Sequence, residues 1–581
     1  MTRSSTALAG YMPAFADPDQ PFLWCYSSGP DALGQCETFT RGAFWSLACR
    51  AASVIRRHGL SKGDCFVHCF SENRCADLAF RMGAMMVAAV PVTVNWQADT
   101  PRNVAFKIRL TQSRLAITDG GTPRELLDAL GDVHPQIAIF HTDQLSEQPE
   151  LPEDEFCCDA DMNHEATRII IFTSGTTGRP KGVRLGYRSY DANRKTFESF
   201  LRIGDHDLFA TLVVNPLHHT NSTAITDWAL RRPGTHLHLV QRYSTQYWAM
   251  LADIGTQGYD RIVAPLVSRH FDFLENLLDS GKLPVPLDAL QHAMSRVDFL
   301  LGSAPVGPIT IGRLQKHAGR VPLVRFGSTE TCLQVTGTPM DLSEDQRLEA
   351  FDKGWAHTWK GRGHSGYYIG RPHPPHTECR IVRSITPGEP DYLVDCPEGQ
   401  PGYLITRGEN LMLGYVNDTK ATRQAISDDG WYTGLGDICF WRTNNTDQQR
   451  DYYWMSRESA LLIRGGANYS YDQIASELKA FVADTYSLGN DEFDVAVVGL
   501  RSTSEHEDDC CVTVELSSPA ALAKRTQIEG TFIASARKSV SKGARPNHLR
   551  FARIPRNFKG LILLPQLKNE FSSTIRHRQT T

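Results

Sequence analysis

Residues 169–183 read IIIFTSGTTGRPKGV, a short β-branched run that enters a loop of hydroxyl and glycine residues and ends on a lysine. Such a loop is suited to a polyphosphate. Gly175 and Gly178 let backbone N–H groups turn toward an anion, the hydroxyls of Thr173, Ser174, Thr176 and Thr177 add donors, and Lys181 adds a positive charge. No GxxxxGK[ST] pattern stands at this position, which disfavours the P-loop class of nucleotide triphosphatases.

The string TSGTTGRPKG, and the order in which further motifs follow it, resemble the adenylate-forming (AMP-binding) superfamily of acyl-CoA synthetases, nonribosomal peptide synthetase adenylation domains and firefly luciferase. FLLGSAPV, residues 299–306, resembles the strand and glycine turn beside the adenine, where backbone close to the base requires small residues such as Gly302, Ser303 and Ala304. RFGSTET, residues 325–331, resembles the signature in which an aromatic residue, here Phe326, packs on adenine, followed by Gly327 and Ser328. In that signature Thr329 donates to phosphate and Glu330 holds Mg²⁺; Thr173 is the second expected metal ligand. GWYTGLGD, residues 430–437, resembles a Thr-Gly-Asp motif whose carboxylate accepts hydrogen bonds from both ribose hydroxyls. Leu435 and Gly436 intervene here, and Asp437 is the only carboxylate of the stretch. It is either the ribose acceptor or a turn aspartate with a structural bond.

MSRESALLIRGGANYSY, residues 455–471, resembles the segment that joins a large N-terminal domain to a small C-terminal one. Arg457 matches the arginine that contacts ribose and phosphates. Ser459 stands where the family usually has Asp or Lys at the pivot, and a small residue can still absorb a backbone rotation. Gly465 and Gly466 fit the loop that meets the pantetheine arm. IPRNFKGLILLPQLK, residues 554–568, resembles the closing segment whose lysine reaches the bridging oxygen at the scissile phosphate. The usual order there is Gly-Lys, whereas this chain has Lys559-Gly560; Lys559 is the expected catalytic residue, with Lys568 in reserve and a solvated surface lysine as the alternative for Lys559. NPLHHTNS, residues 215–222, resembles the stretch in which a histidine or aromatic ring stands between acyl pocket and acceptor tunnel. His219 fits that gate, or else is a histidine satisfied in the core.

What the resemblance implies is ATP-dependent activation of a carboxylic acid to an acyl adenylate with release of pyrophosphate, then transfer of the acyl group to coenzyme A. A free carboxylate is a poor acyl donor because its leaving group would be oxide, and AMP is a better one; catalysis then rests on positioning and on neutralising charge. ATP, Mg²⁺, coenzyme A and a small-molecule acid are the implied cofactors and partners. The C-terminal domain is implied to rotate between the two half-reactions. The alternatives are the same adenylation with a carrier-protein thiol, an amine or oxygen as acceptor, and a nucleotide-binding relative without turnover. No carrier-protein or reductase segment is read, which favours a free acceptor. The motifs leave the acid and the oligomeric state open.

These motifs need elements to hold them. At 581 residues, two or more cores are expected, and 41% hydrophobic with 22% charged residues is a globular balance. A net charge of -4 supplies no basic face for nucleic acid. No apolar run is long enough to span a bilayer, and the ends carry no secretory or organellar address, so a cytoplasmic enzyme without stable membrane insertion is expected. The fourteen cysteines include the adjacent pairs Cys157-Cys158 and Cys510-Cys511, which on a strand point to opposite faces and are poor chelators. Apolar residues at Phe44, Leu47, Ala48, Ala51, Val54 and Ile55 predict a helix over 44–57. Strands are predicted at 65–70, 90–95, 115–118, 137–141, 169–172, 262–264, 299–301 and 323–326, as in a parallel sheet covered on both faces. The acidic, proline-containing stretch 147–163 is expected as a surface connection dividing two subdomains. The pattern predicts an α/β fold, richer in β signals after residue 366. With the resemblance, this becomes a large N-terminal domain of stacked α/β subdomains plus a β-rich subdomain, residues 1–455, and a small mobile α+β C-terminal domain, residues 456–581.

Overall fold

The computed structural model describes residues 6–29, 33, 35–133, 137–157, 164–173, 180–204, 207–359, 362–363, 366–457, 461–465, 467–489, 492–502, 504–556 and 562–580. The chain divides into two compact units. One comprises Met1–Phe172, Gly182–Gly302 and Pro308–Met455; the other comprises Thr173–Lys181, Ser303–Gly307 and Ser456–Thr581.

The first unit is built on two sheets. A seven-stranded sheet has the spatial order Gly414–Tyr415, Lys181–Gly186, Thr167–Thr173, Val90–Thr93, Cys65–Cys69, Leu115–Thr118 and Ala138–His141. Its parallel pairs are joined by crossover helices Cys75–Met86, Pro101–Thr111 and Arg124–Val133, as parallel strands require. The second sheet has thirteen strands. Its parallel half runs through Pro21–Tyr26, Thr235–Val240, Phe209–Val213, Arg261–Leu266, Val297–Leu301 and Leu323–Phe326. Beyond Leu323–Phe326 the pairing turns antiparallel through Thr336–Gly337 and Tyr367–Pro372, which is the β-rich portion of the chain. The mixed α/β class expected from the sequence is the class observed.

The helix predicted at 44–57 spans Arg41–Arg57, and its N-terminus is capped where the Ala43 amide donates to the Thr40 hydroxyl at 3.2 Å. It packs so closely on Cys75–Met86 that a Cβ on Gly83 would lie 2.7 Å from the Ala52 amide nitrogen. Apolar residues of these two helices, of Tyr187–Leu201 and Thr220–Arg231, and of both sheets belong to one core cluster.

One expectation about organisation is corrected. The acidic connection does not divide two subdomains, because Ala138–His141 before it and Thr167–Thr173 after it belong to the same seven-stranded sheet. Its acidic side chains at 153–155 are exposed, but its backbone is tied to the helix pair: the Leu151 amide donates to Cys49 O at 3.1 Å and the Cys157 amide to Met86 O at 2.8 Å. Leu151 is buried there.

The second unit has a three-stranded sheet of Phe493–Leu500, Asp509–Leu516 and His548–Phe551, with helices Tyr471–Tyr486, Arg525–Ser539 and Leu564–Thr580. Val495, Val497, Val512, Val514, Leu478, Val482, Phe532 and Leu567 fill its core. Cys510 and Cys511 are both buried and free, as a strand covered on both faces allows. No helix among the described residues is long and apolar enough to cross a membrane.

Candidate active site

Of the phosphate-loop residues, Thr173 ends the strand Thr167–Thr173 and Lys181 opens the strand Lys181–Gly186, both half-buried. Ser174, Gly175, Thr176, Thr177 and Gly178 lie outside the described residues. The strand pair is tight just below the loop, where a Cβ on Gly182 would meet Val416 at 3.0 Å and Phe172 at 3.1 Å.

The glutamate motif is the best-defined part of the site. Leu323–Phe326 ends in a loop that folds back on itself: the Leu333 amide donates to Ser328 O at 3.0 Å, the Ser328 amide to the Thr331 hydroxyl at 2.8 Å, and the Val335 amide to Phe326 O at 2.8 Å. Gly327 has no substitute here, since a Cβ would fall 1.4 Å from Leu333 O. Gly302 is similarly constrained, with a Cβ placed 2.8 Å from Arg325 O on the neighbouring strand. Ser303 after it is exposed and adopts φ +65°, a left-handed conformation that favours small or polar residues, and Ala304 is half-buried.

Four contacts from distant elements fix this loop. The Thr220 hydroxyl, at the start of helix Thr220–Arg231, donates to the Thr329 hydroxyl at 3.0 Å. The Tyr415 hydroxyl donates to Glu330 Oε1 at 3.2 Å, and the Met412 amide donates to Glu330 O at 2.8 Å. Asn410 Nδ2 donates to Thr331 O at 2.9 Å. Burial and the Glu330 carboxylate both push the Tyr415 pKa far up, so the phenol keeps its proton and remains a donor. Phe326, Ser328, Thr329 and Glu330 are half-buried. The result is a hydroxyl and a carboxylate held side by side on a short loop, fit to bind phosphate and to share a cation with it.

His219 occupies the N-cap position of helix Thr220–Arg231 and is half-buried, its ring 4.3 Å from that of His218. Burial, with a smaller contribution from the Lys107 ammonium, lowers the His219 pKa to about 4, so the ring is neutral near pH 7. His218 is the core member of the pair, buried and edge-on to Trp96 at 5.6 Å.

Asp437 begins the strand Asp437–Thr443 and is 2% exposed, and its Oδ1 accepts from Trp454 Nε1 at 2.7 Å. The carboxylate therefore already has a structural bond. Arg457 is the last residue of strand Arg450–Arg457, but its side chain, and all of Ser459, Gly466 and Lys559, lie outside the described residues. In the second unit, Lys568 holds its ammonium 5.6 Å from the Tyr471 ring centre. Burial lowers its pKa, against an opposing pull from Asp508.

Sequence reasoning missed Tyr415, Asn410 and Arg325 as parts of this site. Tyr415 and Asn410 sit in unremarkable sequence some eighty residues from their partners. Arg325 opens the RFGSTET motif and donates through Nη2 to Asn221 Oδ1 at 2.6 Å, next to the Thr220–Thr329 contact. A charged residue at an otherwise apolar strand position was the available signal.

Comparison with known proteins gives the family. A sulfoacetate–CoA ligase of Cupriavidus necator is 25% identical over 471 residues, which is 79% of this chain and 80% of that protein. A long-chain-fatty-acid–CoA ligase of Mycobacterium tuberculosis is 23% identical over 542 residues, 91% of this chain and 92% of its own. In fold, the chain is similar to a double mutant of o-succinylbenzoate CoA synthetase from Bacillus subtilis, solved with a product analogue: TM-score 0.73 at 20% identity, covering 97% of this chain and 98% of that one. The AMP-binding enzyme family model matches residues 13–416, a range that includes residues 169–183, the His218-His219 segment, residues 299–306 and the Thr329-Glu330 loop. The chain belongs to the AMP-binding enzyme family.

Proposed function

We propose that this chain is an AMP-forming acid–CoA ligase. The observation that carries the reading is the Thr329-Glu330 loop, pinned from Thr220, Tyr415, Met412 and Asn410, in a chain that belongs to the AMP-binding family. In the first half-reaction a carboxylate oxygen of the acid attacks the α-phosphorus of ATP, the bond to the bridging oxygen breaks, and pyrophosphate leaves. Thr173, Ser174, Thr176, Thr177 and the backbone at Gly175 and Gly178 would bind the β- and γ-phosphates with Lys181, and Thr329 would donate at the α-phosphate. Gly302, Ser303, Ala304, Phe326, Gly327 and Ser328 would seat the adenine, and Asp437 and Arg457 the ribose.

The chemistry of the expected donors suits a magnesium ion: Glu330 is a half-buried carboxylate on its loop and Thr173 a half-buried hydroxyl at the end of its own strand, and Mg²⁺ is usually held by one or two protein oxygens together with substrate phosphates. Glu330 and Thr173 would hold it, and when bound it neutralises polyphosphate charge. In the second half-reaction the thiolate of coenzyme A attacks the acyl carbon, the bond to the AMP oxygen breaks, and AMP leaves. His219, neutral and half-buried, would line the passage by which that thiol arrives. Residues 456–581 would form the mobile domain that supplies Lys559 to the first step.

Carboxylate-dependent ATP–pyrophosphate exchange, followed by thioester formation with coenzyme A, tests this reading. Exchange is expected with a suitable acid, and Lys559→Ala is expected to reduce it by about 10²-fold or more, the loss typical of one donor aimed at transition-state charge. Normal exchange in Lys559→Ala together with loss in Lys568→Ala would transfer the role to Lys568. Exchange without any thioester would exclude coenzyme A as the acceptor.

A further inference from the structure

Arg325 is 4% exposed and is held unlike the other buried arginines among the described residues. Arg81 pairs with Asp77, Arg168 with Asp227 and Arg347 with Glu344. Arg41 donates to four backbone carbonyls, and Arg232 to those of Gly204, Asp207 and Pro233. The Arg325 guanidinium has one neutral partner, Asn221 Oδ1 at 2.6 Å, and lies 5.7 Å from the Phe197 ring centre. Its Nε and Nη1 are buried without a hydrogen-bond partner among the described residues. Burial alone pushes its pKa down to about 9, with no carboxylate to oppose the shift. A buried charge with unused donors is retained at a cost, and is most simply understood when a ligand completes it.

The location says which ligand. Asn221 directly follows Thr220, whose hydroxyl holds Thr329, and Arg325 directly precedes Phe326 on the strand that ends in the glutamate loop. Arg325 and its partner Asn221 are thus each one residue along the chain from a residue that forms or holds the loop assigned to adenylation. The α-phosphate chemistry needs only one carboxylate of the substrate, and that group is consumed as the acyl donor. We propose that the acid activated by this chain carries a second anionic group, a carboxylate or sulfonate, and that Arg325 receives it. One of the free nitrogens, Nε or Nη1, together with the second N–H of Nη2 offers the paired N–H geometry that matches a carboxylate. Asn221 orients the guanidinium by accepting the other N–H of Nη2.

The proposal rests on the ligase reading, and its test separates the two. The probes are malonate, succinate and glutarate, each against its monomethyl ester, which keeps chain length and removes the second charge. The expected result is exchange that favours the dianion by about a hundredfold over the half-ester, a preference that collapses in Arg325→Gln through loss of activity with the dianion. Asn221→Asp supplies Arg325 with an internal carboxylate, leaves the guanidinium in place, and is expected to erase the same preference in a protein at least as stable as the parent. Thermal stabilisation by the dianion without nucleotide, absent for the half-ester and in both variants, is the readout that does not need turnover. Exchange that favours half-esters, or loss of activity in Arg325→Gln by the same factor for both forms of the acid, would overturn the inference and leave the ligase reading standing. Dianion-dependent stabilisation without exchange for any acid would do the reverse. No stabilisation by any dianion and no dianion preference would sink the inference outright.

Discussion

The two glycine loops read as nucleotide contacts are built on opposite constraints. At Gly327 the constraint is space: Leu333 O occupies the volume a side chain would need, and the loop is closed by its own hydrogen bonds and clamped from Thr220, Tyr415 and Asn410. At Gly436 it is conformation alone, φ +65° with no atom of the described residues within 4 Å of where a Cβ would lie. The first loop arrives with its hydroxyl and carboxylate already oriented, so little reorganisation remains when substrate binds. The second carries an inserted Leu435-Gly436 and a carboxylate already engaged with Trp454.

The contrast is broken most forcefully at Gly327. Gly327→Ala cannot be absorbed by a rotamer change, because the clash is with backbone. The loop must open, at a cost of about 3 kcal/mol or more for a forced backbone shift in a packed site. ATP–pyrophosphate exchange is expected to fall below detection while the far-ultraviolet circular dichroism stays native. Activity within tenfold of the parent would mean that the loop is far more pliant than its contacts indicate.

A smaller effect is expected from Tyr415→Phe, which keeps the ring and removes the donor to Glu330. A hydrogen bond to a charged group contributes roughly 1.5 kcal/mol, so exchange should fall about tenfold with little change in melting temperature. An unchanged rate would show that the bonds of Met412 to Glu330 O and of Asn410 to the neighbouring Thr331 O hold the glutamate without help.

Which parts of this were legible in the sequence follows from how local each determinant is. The strands 115–118 and 323–326 appear with the bounds predicted, because short β-branched runs between turns carry their own signal. The edge strand Cys36–Thr40 carried none, being half-exposed and mixed in composition, whereas its neighbour Pro21–Tyr26 is a continuous apolar run, PFLWCY, that sequence reasoning missed. Thr329 and Glu330 are singled out by the RFGSTET resemblance, whereas the tyrosine and asparagine that bond to Glu330 and Thr331 come from residues 410–415, where no local pattern marks them. The acidic stretch misled because its charges report the exposed side chains of 153–155 and say nothing of the backbone bonds that lay it along two helices. Arg325 stood inside a recognised motif, but only its buried, carboxylate-free surroundings set it apart.

Gly436→Ala sharpens the comparison from the weak side. Alanine at φ +65° pays only the left-handed backbone strain, about 1 kcal/mol, because nothing crowds its Cβ. Asp437 remains tied to Trp454 through the strand that follows, so the carboxylate should keep its place. The expected outcome is a slightly lower chemical-denaturation midpoint, exchange within threefold of the parent and an unchanged KM for ATP. A large rise in that KM, with stability little affected, would mean that the loop moves when nucleotide binds and that the glycine serves this motion. Asp437 would then act on ribose only after its loop rearranges, and the pairing with Trp454 would describe a resting arrangement of the site.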